Sequence, residues 1–574
     1  MRVIRLRPVV PGLVFLLAVL PFLSVLWAGF LNWDDDYHLV ENAGFRGLGA
    51  SQLQWMVTTT LGGHYHPLTW LSFGVNYALD GMNPWGYHLV NLLLHGANAV
   101  LFYFIARRLL AAGEGEPQAG LPWAAAFAAL VFAVHPLRVE SVAWLTERRG
   151  LLSALFYLAA VLAYLRGVTR EKRADWRWLG LSLAAFAASL LSKAISMTLP
   201  AALLLLDVYP LGRVARLGWR RVLVEKVPFG AVAAAGAAVA LLAMRSGGVL
   251  TPYGEYGPGA RLAMSAYSFT FYPWKLILPA ELSPVYELPA RIDPSSVRFA
   301  IPLAVCLAVT VALVALRRRW PAGLAAWAYS VLTVLPVSGP VHSSYVLAAD
   351  RYSYLSGLGF ALLGGGAVSW LFSRRDALRP LLSRLMIVAA AAALLGLGAG
   401  SWRQSQLWKD TEALFRWAVS VDPTCAVCSN NLGGQLLLNY PVDLGRIQEA
   451  EAYFRRAIAL RPALAAPYRN LGRALATQRR YGEAEVAYRA FLRAEPASPQ
   501  GLAGLGMVYL AQERDAEAIP LLREARARGL DAPGARDGLG LALRRQADRM
   551  SRNGRGEEAG VLQREAESLG ARRP

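Results

Sequence analysis

Three carboxylates stand side by side where a long apolar run ends. Asp34, Asp35 and Asp36 follow residues 8–30, which contain no charged side chain. A carboxylate at a membrane surface can take a proton from a hydroxyl as a general base, or bind a divalent cation through its oxygens. The same residues would also suit a solvated loop or a helix cap. The cluster therefore predicts either a chemical or a structural use, and its surroundings must decide between them.

A few other ionisable side chains lie next to apolar runs, on the side of the membrane predicted for the three aspartates. They are Glu140, Arg148, Arg149, Lys193, Arg351, His64 and His66. Ionisable groups near membrane depth are costly and tend to be functional. Arginine makes paired hydrogen bonds to phosphate oxygens. A base beside such a cluster predicts transfer of a group from a phospholipid-like donor to an acceptor outside the membrane.

The elements that must hold these residues are membrane helices. The chain has 574 residues, 55% of them hydrophobic, and a mean hydropathy of +0.34, which is too apolar for a soluble protein of this length. We expect an all-α membrane domain over residues 1–401, with about eleven runs of the length that crosses a bilayer. These runs are 9–30, 88–110, 121–136, 149–166, 178–193, 195–210, 227–245, 298–316, 320–337, 352–373 and 384–401.

The basic residues orient this domain. The net charge is +20, and most basic residues of residues 1–401 fall in alternate short connections, such as Arg317–Arg319. Positive residues mark the cytoplasmic side, which predicts a cytoplasmic amino terminus and an external aspartate cluster. Basic residues placed in this way, or interleaved with acids along helices, argue against nucleic-acid binding.

One apolar segment leaves the topology open. Residues 262–279 include Pro273, Trp274 and Lys275, and both of their flanks are predicted outside. We expect an interfacial or re-entrant segment here. A full crossing would change the parity and move the following domain to the cytoplasm.

Residues 402–574 form a second domain with an internal repeat. At a 34-residue period, Leu471-Gly472 aligns with Leu505-Gly506 and Ala484 with Ala518. This is the tetratricopeptide period, in which small residues let paired helices approach. We expect about three to four repeats and a cap, forming an α-solenoid whose concave surface holds peptides or partner proteins.

Two cysteines form a Cys-x-x-Cys pair at the start of a repeat. Cys425 and Cys428 could form a disulfide in an oxidising compartment, or remain thiols without a function. Two thiols without a nearby histidine argue against a zinc site. We do not expect a redox function.

The membrane domain resembles a known family in an ordered set of motifs. The resemblance lies in NWDDDYHLVEN (32–42), YHPLTWLSF (65–73), NPWGYHLVNLLLHGANAVLF (83–102), HPLRVESVAWLTERRGLLS (135–153), SKAISMTLPAALLLLDVYPLGR (192–213), ADRYSYL (349–355) and SWRQSQLWKDTEALFRWAV (401–419). These stretches are similar to the transmembrane and tetratricopeptide-repeat O-mannosyltransferases of eukaryotes, and more closely to their bacterial relatives. Most are weak singly, but the ordered set is specific.

The resemblance implies a GT-C-type glycosyltransferase of a bacterial inner membrane, with its active site and repeat domain in the periplasm. Such enzymes take a sugar from a polyprenyl-phosphate donor and usually invert the anomeric centre. Asp34 and Asp35 occupy the position of the catalytic acidic pair, one of which would deprotonate the acceptor hydroxyl. The expected acceptor is a serine or threonine of a protein that the repeats hold or recruit.

The resemblance also assigns the neighbouring residues. Positive charge beside the departing lipid phosphate should stabilise the transition state. The candidates are Arg148, Lys193 and Arg351 for the phosphate, His66, Glu140 and Asp36 as acceptor-positioning or supporting residues, and Asp34 and Asp35 as ligands of a possible divalent cation. Enzymes of the GT-C class differ in whether they need a cation.

Two departures and two alternatives accompany this interpretation. Three consecutive aspartates leave the identity of the base open, and Ala194 follows Lys193 where eukaryotic members more often have an acidic residue. The main alternative is a non-catalytic membrane scaffold that recruits envelope proteins through its repeats. A transporter would favour internally repeated bundles, and the sequence has no such symmetry. No motif encodes which sugar is moved.

Overall fold

The computed structural model describes residues 9–113, 120–168, 174–251, 255–341, 345–374, 380–438 and 443–570. The chain divides into two compact units, Met1–Leu414 and Phe415–Pro574. The predicted boundary at residue 401 lies inside the last long helix of the first unit. Both units are helical, and the described residues contain a single sheet of two short antiparallel strands, β1 (Tyr286–Glu287) and β2 (Val346–Ala348).

The helices of the chain are as follows. Up to residue 217 they are α1 (Val9–Val19, continued by a 3-10 turn, Leu20–Trp27), α2 (Ala50–Thr58), α3 (Pro67–Asp80), α4 (Pro84–Gly113), α5 (Leu121–Ala133), α6 (Val139–Ala143), α7 (Arg148–Gly167), α8 (Trp176–Ser192), α9 (Leu199–Val208) and α10 (Arg213–Leu217). They continue with α11 (Trp219–Ser246), α12 (Pro258–Ile277), α13 (Val297–Ala315), α14 (Pro321–Val334), α15 (Ser353–Ser356), α16 (Leu358–Ser373), α17 (Pro380–Leu407) and α18 (Thr411–Val421). The last eight are α19 (Ala426–Leu438), α20 (Leu444–Leu460), α21 (Ala466–Thr477), α22 (Tyr481–Ala494), α23 (Pro499–Ala511), α24 (Asp515–Ala527), α25 (Pro533–Arg552) and α26 (Gly556–Ser568).

The first unit has the helices of an integral membrane protein. Within the described residues, 6 helices are long and apolar enough to cross a bilayer, or up to 8 if each of two bent helix pairs is one span. The eleven predicted runs all fall on helices, but several of those helices are short or broken. The run 195–210, for example, is a 3-10 turn followed by the ten-residue α9. The number eleven therefore stays a prediction, as does the interfacial position of α12.

Helix α7 organises the first unit. It is buried along most of its length and packs on α4 and α8. The hydroxyls of Ser153 and Ser189 lie 3.0 Å apart across the α7–α8 contact. Because α7 begins at Arg148 and the antiparallel α8 ends at Ser192, the residues around these two ends lie side by side.

The other end of α7 contacts a buried ionic cluster. Asp207 pairs with Arg213 (2.8 Å) and Lys226 (2.6 Å), and Arg213 also pairs with Glu225 (2.8 Å). The hydroxyl of Tyr164 on α7 donates to Asp207. Two carboxylates and two cations leave this cluster neutral, as buried charges require, and they tie α9, α10 and α11 to α7.

The second unit is built from helix pairs, α19–α20, α21–α22, α23–α24 and α25–α26. Its helices approach most closely at glycines. A methyl group added to Gly472 would lie 2.8 Å from the ring of Tyr488, and one added to Gly433 would lie 2.7 Å from the ring of Phe454. The predicted use of small residues between paired helices is confirmed. Cys425 and Cys428 form a disulfide and are both fully buried.

The close approach at Gly472 gives a stability prediction. Gly472→Ala should destabilise the α21–α22 pair by about 1–3 kcal/mol, because the new methyl group overpacks against Tyr488. Gly482→Ala is the matched control: Gly482 lies in α22 with open space around it, so alanine should be neutral or stabilising by roughly 0.5–1 kcal/mol. Hydrogen exchange of α21 and α22 amides in the full chain measures both changes. Equal exchange in the two variants would contradict the packing argument.

Candidate active site

The loop after the first helix is anchored by a buried aspartate. Asp35 is fully buried and accepts three hydrogen bonds, from the backbone N–H of Leu31 (3.1 Å), the backbone N–H of Thr146 (2.9 Å) and the Thr146 hydroxyl (2.6 Å). Trp144 adds a bond from its Nε1–H to the carbonyl of Trp33 (2.8 Å). Burial raises the pKa of Asp35 to about 7, and the hydrogen bonds from Thr146 and Leu31 oppose that rise. Both carboxylate oxygens are thus engaged in holding the loop to residues 144–146.

The neighbouring Asp34 differs from Asp35 in its backbone conformation and in its exposure to solvent. Its φ is 66°, in the left-handed region that non-glycine residues rarely adopt. Such strain costs of order 1–3 kcal/mol and is concentrated at functional sites. The side chain is reached by solvent, but enough protein surrounds it that burial raises its pKa, while the positive charges of Arg149 and Arg351 oppose the rise. Asp34 is therefore an accessible carboxylate in a recess that also contains cations.

Those cations belong to a compact cluster of five charged side chains. Buried Glu140 accepts the backbone N–H of Arg351 (2.6 Å) and pairs with its guanidinium. Buried Glu147 pairs with Lys193, lies 3.5 Å from Arg149 Nε and lies 4.0 Å from Arg351 Nε. Three cations surround two carboxylates. Within these five side chains one positive charge is not matched by Glu140 or Glu147, and either Asp34 or a bound anion can balance it.

Three different elements bring these cations together. Arg149 lies in the first turn of α7, Lys193 follows the end of α8 in an extended conformation, and Arg351 lies in a 3-10 turn, Asp350–Tyr352. Aromatic rings support them. The Arg351 guanidinium lies 5.0 Å from the ring centre of Tyr352 and 5.2 Å from that of Trp144, and Lys193 Nζ lies 5.9 Å from Tyr352. Cation–π contacts of this kind favour a desolvated positive charge.

Arg148, the first phosphate candidate from the sequence, lies outside this cluster. It is fully buried, donates from Nε to Asn91 (2.9 Å) and from Nη2 to the carbonyl of Tyr87 (2.7 Å), and stacks on Phe73 at 4.5 Å. Successive helical residues point roughly 100° apart, so the start of α7 directs Arg149 into the cluster and Arg148 into the core.

Two histidines, His64 and His66, lie near the same cations. His66 is buried and stacks on Trp70 with ring centres 4.9 Å apart, and the ring of His64 lies 6.2 Å from that of His66. Burial, and then the charge of Arg149, lower the pKa of both: that of His64 falls to about 3 and that of His66 well below its usual value. Both imidazoles are therefore neutral and can donate and accept hydrogen bonds to a polar ligand.

The remaining candidates are more peripheral. Asp36 is partly buried at the start of the helical turn Asp36–Val40, and burial raises its pKa. Within the described ranges, no group of three histidine, cysteine or acidic side chains has the arrangement of a metal site. Asp34 could supply a cation ligand, whereas the oxygens of Asp35 already accept protein hydrogen bonds. The divalent cation stays a prediction.

The sequence does not single out two contributors, Trp144 and Thr146. It leaves open whether Arg149 has a functional role or only pairs with Glu147 or Glu140, and the structure places it 3.5 Å from Glu147. The motif TERRG carries both arginines, and only the helix phase shows which one faces the recess. A tryptophan and a threonine close to the acidic residues in HPLRVESVAWLTERRG (135–150) give no chemical signal, because their function here is to hold Asp35.

The Asp35 anchor gives a second stability prediction. Thr146→Val removes the hydroxyl bond to a buried carboxylate and should cost about 1.5–3 kcal/mol. The matched control is Thr198→Val, since the Thr198 hydroxyl has no hydrogen-bond partner among the described residues and valine should be tolerated or stabilising. Thermal unfolding of the purified protein in one detergent compares the two. Equal transition temperatures would show that the hydroxyl bond contributes nothing.

The chain is similar in sequence to several known proteins. A tetratricopeptide-repeat family model matches residues 437–499 and 469–535. The protein O-mannosyl-transferase Tmtc1 of Drosophila melanogaster is 27% identical over 76% of this chain and 59% of its own length. TMTC4 of Mus musculus is 26% identical over 65% of this chain and 55% of its own. Tmtc2 of Drosophila melanogaster is 35% identical over 33% of this chain and 21% of its own.

These relatives are longer than the chain, which spans at most 59% of each of the three. Among solved structures, a crystal structure of MamA has a TM-score of 0.23 and 18% identity over 28% of this chain and 86% of its own. The ordered motifs, the repeats and the relatives agree: the chain is a homologue of the tetratricopeptide-repeat protein O-mannosyl-transferases.

Proposed function

We propose that the chain transfers a sugar from a polyprenyl-phosphate donor to a hydroxyl of an extracytoplasmic protein, as an inverting O-mannosyltransferase of the GT-C type. The observation that carries the proposal is the accessible, strained Asp34 beside a cluster with a surplus positive charge. The names of the relatives support mannose as the sugar and a protein as the acceptor. The ionic cluster supports a phosphate-linked donor.

Asp34 is the proposed general base. Its carboxylate is accessible, whereas both oxygens of Asp35 are occupied by Leu31 and Thr146. In the reaction, Asp34 takes the proton of the acceptor hydroxyl while the hydroxyl oxygen forms a bond to the anomeric carbon. The bond from that carbon to the phosphate oxygen breaks, and its electron pair leaves with the lipid phosphate. Attack opposite the leaving group inverts the anomeric centre.

The cationic cluster is the proposed phosphate site. Arg149 contributes most, because its guanidinium makes only a 3.5 Å contact to Glu147, whereas Lys193 and Arg351 each have a close carboxylate. Charge on the leaving phosphate grows in the transition state, and a fixed surplus cation stabilises it there more than in the ground state. Glu140 and Glu147 hold the cations in position.

The neutral histidines are assigned to the sugar or the acceptor. His64 and His66 offer hydrogen bonds without adding charge, which suits the hydroxyls of a sugar or of a serine or threonine. A divalent cation is not required for the steps above. We place the reaction at the outer membrane surface, with the repeat unit recruiting the acceptor. The positive-inside pattern supports this orientation.

Transfer in cells tests the base. Asp34→Asn should lower mannose transfer at least about 100-fold, because a general base contributes that much or more. Asparagine is among the residues that tolerate a left-handed backbone, so the loop should keep its shape. Asp35→Asn should reduce protein abundance and leave partial activity. The readout is mass spectrometry of envelope glycoproteins at matched expression.

The control for charge removal is Asp293→Asn, an exposed aspartate of the loop before α13. It should leave the glycan profile unchanged. If Asp34→Asn gave the wild-type profile, the catalytic proposal would fail and the scaffold alternative would take its place.

The pH profile tests the pairing of Asp34 with Arg149. A neighbouring positive charge favours the carboxylate, so Arg149→Gln should raise the pKa of Asp34 further. The base must be deprotonated, and transfer by Arg149→Gln should therefore be lost at a higher pH than in the wild type as the medium is acidified. Arg149→Lys keeps the charge and should keep the wild-type acid limb. Superimposable acid limbs for all three proteins would refute the assignment.

A further inference from the structure

A second site lies in the first unit, away from the charged cluster. A cavity of about 510 Å³ opens between α4, α7, α9, α14 and α16, within the roughly 300–1,000 Å³ range of ligand pockets. Its wall is made almost wholly of aliphatic and aromatic side chains. Trp320 and Trp370 line it and are about half exposed, so the cavity opens to the outer surface of the helices.

The cavity lies towards the end of the helices remote from Asp34. Its lining residues on α7, Tyr157 to Val161, are roughly 12–18 Å along the helix from Arg149 at 1.5 Å per residue. The rest of the wall includes the ends of helices on that remote side: Leu109 and Leu110 late in α4, Tyr209 after α9, and Trp370 late in α16.

Basic residues lie at the end of the helices that is remote from Asp34. Arg108 precedes the lining residue Leu109, and its Nη1 donates to the carbonyl of Leu165 at the end of α7 (3.3 Å). Arg318 and Arg319 are exposed and directly precede the lining residue Trp320. No described carboxylate lies within ion-pair distance of Arg318 or Arg319. An apolar cavity that opens beside unneutralised arginines matches a ligand with an apolar chain and an anionic head.

We propose that this cavity binds an anionic glycerophospholipid of the cytoplasmic leaflet, with an acyl chain in the cavity and the headgroup phosphate at the arginines. Positive residues mark the cytoplasmic side, and basic pockets between membrane helices on that side bind anionic headgroups. The headgroup phosphate of this lipid would lie at the arginines, at the end of the helices remote from Asp34, whereas the proposed transfer needs the donor phosphate beside Asp34. The site does not depend on the proposed transferase activity.

Lipid binding to the purified full-length protein tests the proposal. Native mass spectrometry in a mild detergent would compare phosphatidylglycerol with phosphatidylethanolamine of the same acyl chains. The first phosphatidylglycerol should bind at least about tenfold more tightly, since each arginine near the headgroup strengthens binding several-fold. Equal affinity of the wild type for the two lipids would overturn the proposal without any variant.

Two pairs of variants locate the site. Gly366→Leu should fill the cavity and weaken phosphatidylglycerol binding about tenfold or more, since Gly366 lines it and a new Cβ would lie 3.8 Å from Leu110. Gly364→Leu on the same helix does not line the cavity and should bind normally. Arg318→Gln with Arg319→Gln should remove the preference for phosphatidylglycerol.

The charge-matched control is Arg220→Gln with Arg221→Gln, two exposed arginines at the start of α11. It should keep the preference. If Gly366→Leu bound phosphatidylglycerol like the wild type, the cavity would not be a phospholipid site. The same conclusion would follow if the lipid that the wild type retains and Gly366→Leu loses were a polyprenyl phosphate and no phospholipid.

Discussion

The candidate active site depends on the hydrogen bonds between Asp35 and Thr146. Residues 31–34, between the first helix and the turn Asp36–Val40, have no helix or strand of their own, and they need a fixed partner to present a side chain reproducibly. The carboxylate of Asp35 supplies it by accepting two bonds from Thr146 and one from Leu31. A buried carboxylate without these bonds would cost several kcal/mol. With these bonds, the loop is held to Thr146, two residues before α7 begins. The position of Asp34 is therefore coupled to that of Arg149.

That coupling explains how Asp34 can be held in a left-handed backbone conformation. The next residue, Asp35, is anchored by Leu31 and Thr146, and the N–H of His38 donates to the Asp34 carbonyl at 2.8 Å. Neighbouring bonds of this kind over-determine the turn and offset its strain. The consequence is chemical: two adjacent aspartates have different environments, one engaged on both oxygens and one accessible beside cations. Such separation of two like groups lets one serve structure while the other remains available for proton transfer.

The sequence predicted this site in part, and the failures have identifiable causes. The sequence singles out Lys193 and Arg351 because a charge next to an apolar run is costly and therefore conspicuous. The repeats are confirmed, and they are recognisable because their 34-residue period shows in the sequence. The choice between Arg148 and Arg149 depends on the phase of one helix, since a shift of one residue turns the side chain by roughly 100°. The difference between Asp34 and Asp35 depends on a backbone angle and on Thr146, which lies 111 residues from Asp35 in the sequence. The sequence overstates the number of unbroken spans because a bend such as that at Gly357, inside the run 352–373, does not change the composition of the run.

The ionic clusters at the two ends of α7 differ in whether their own charges balance. Near Tyr164, Asp207 and Glu225 balance Arg213 and Lys226, so the charges are already satisfied and a ligand would gain nothing there. Near Arg149, Glu140 and Glu147 leave one of three cations without a close carboxylate. Asp34 is another acid near these cations, and from the recess it could balance that charge. An anionic group entering this end gains the electrostatic interaction that the fold has left incomplete, and the carboxylate beside it remains available as a base.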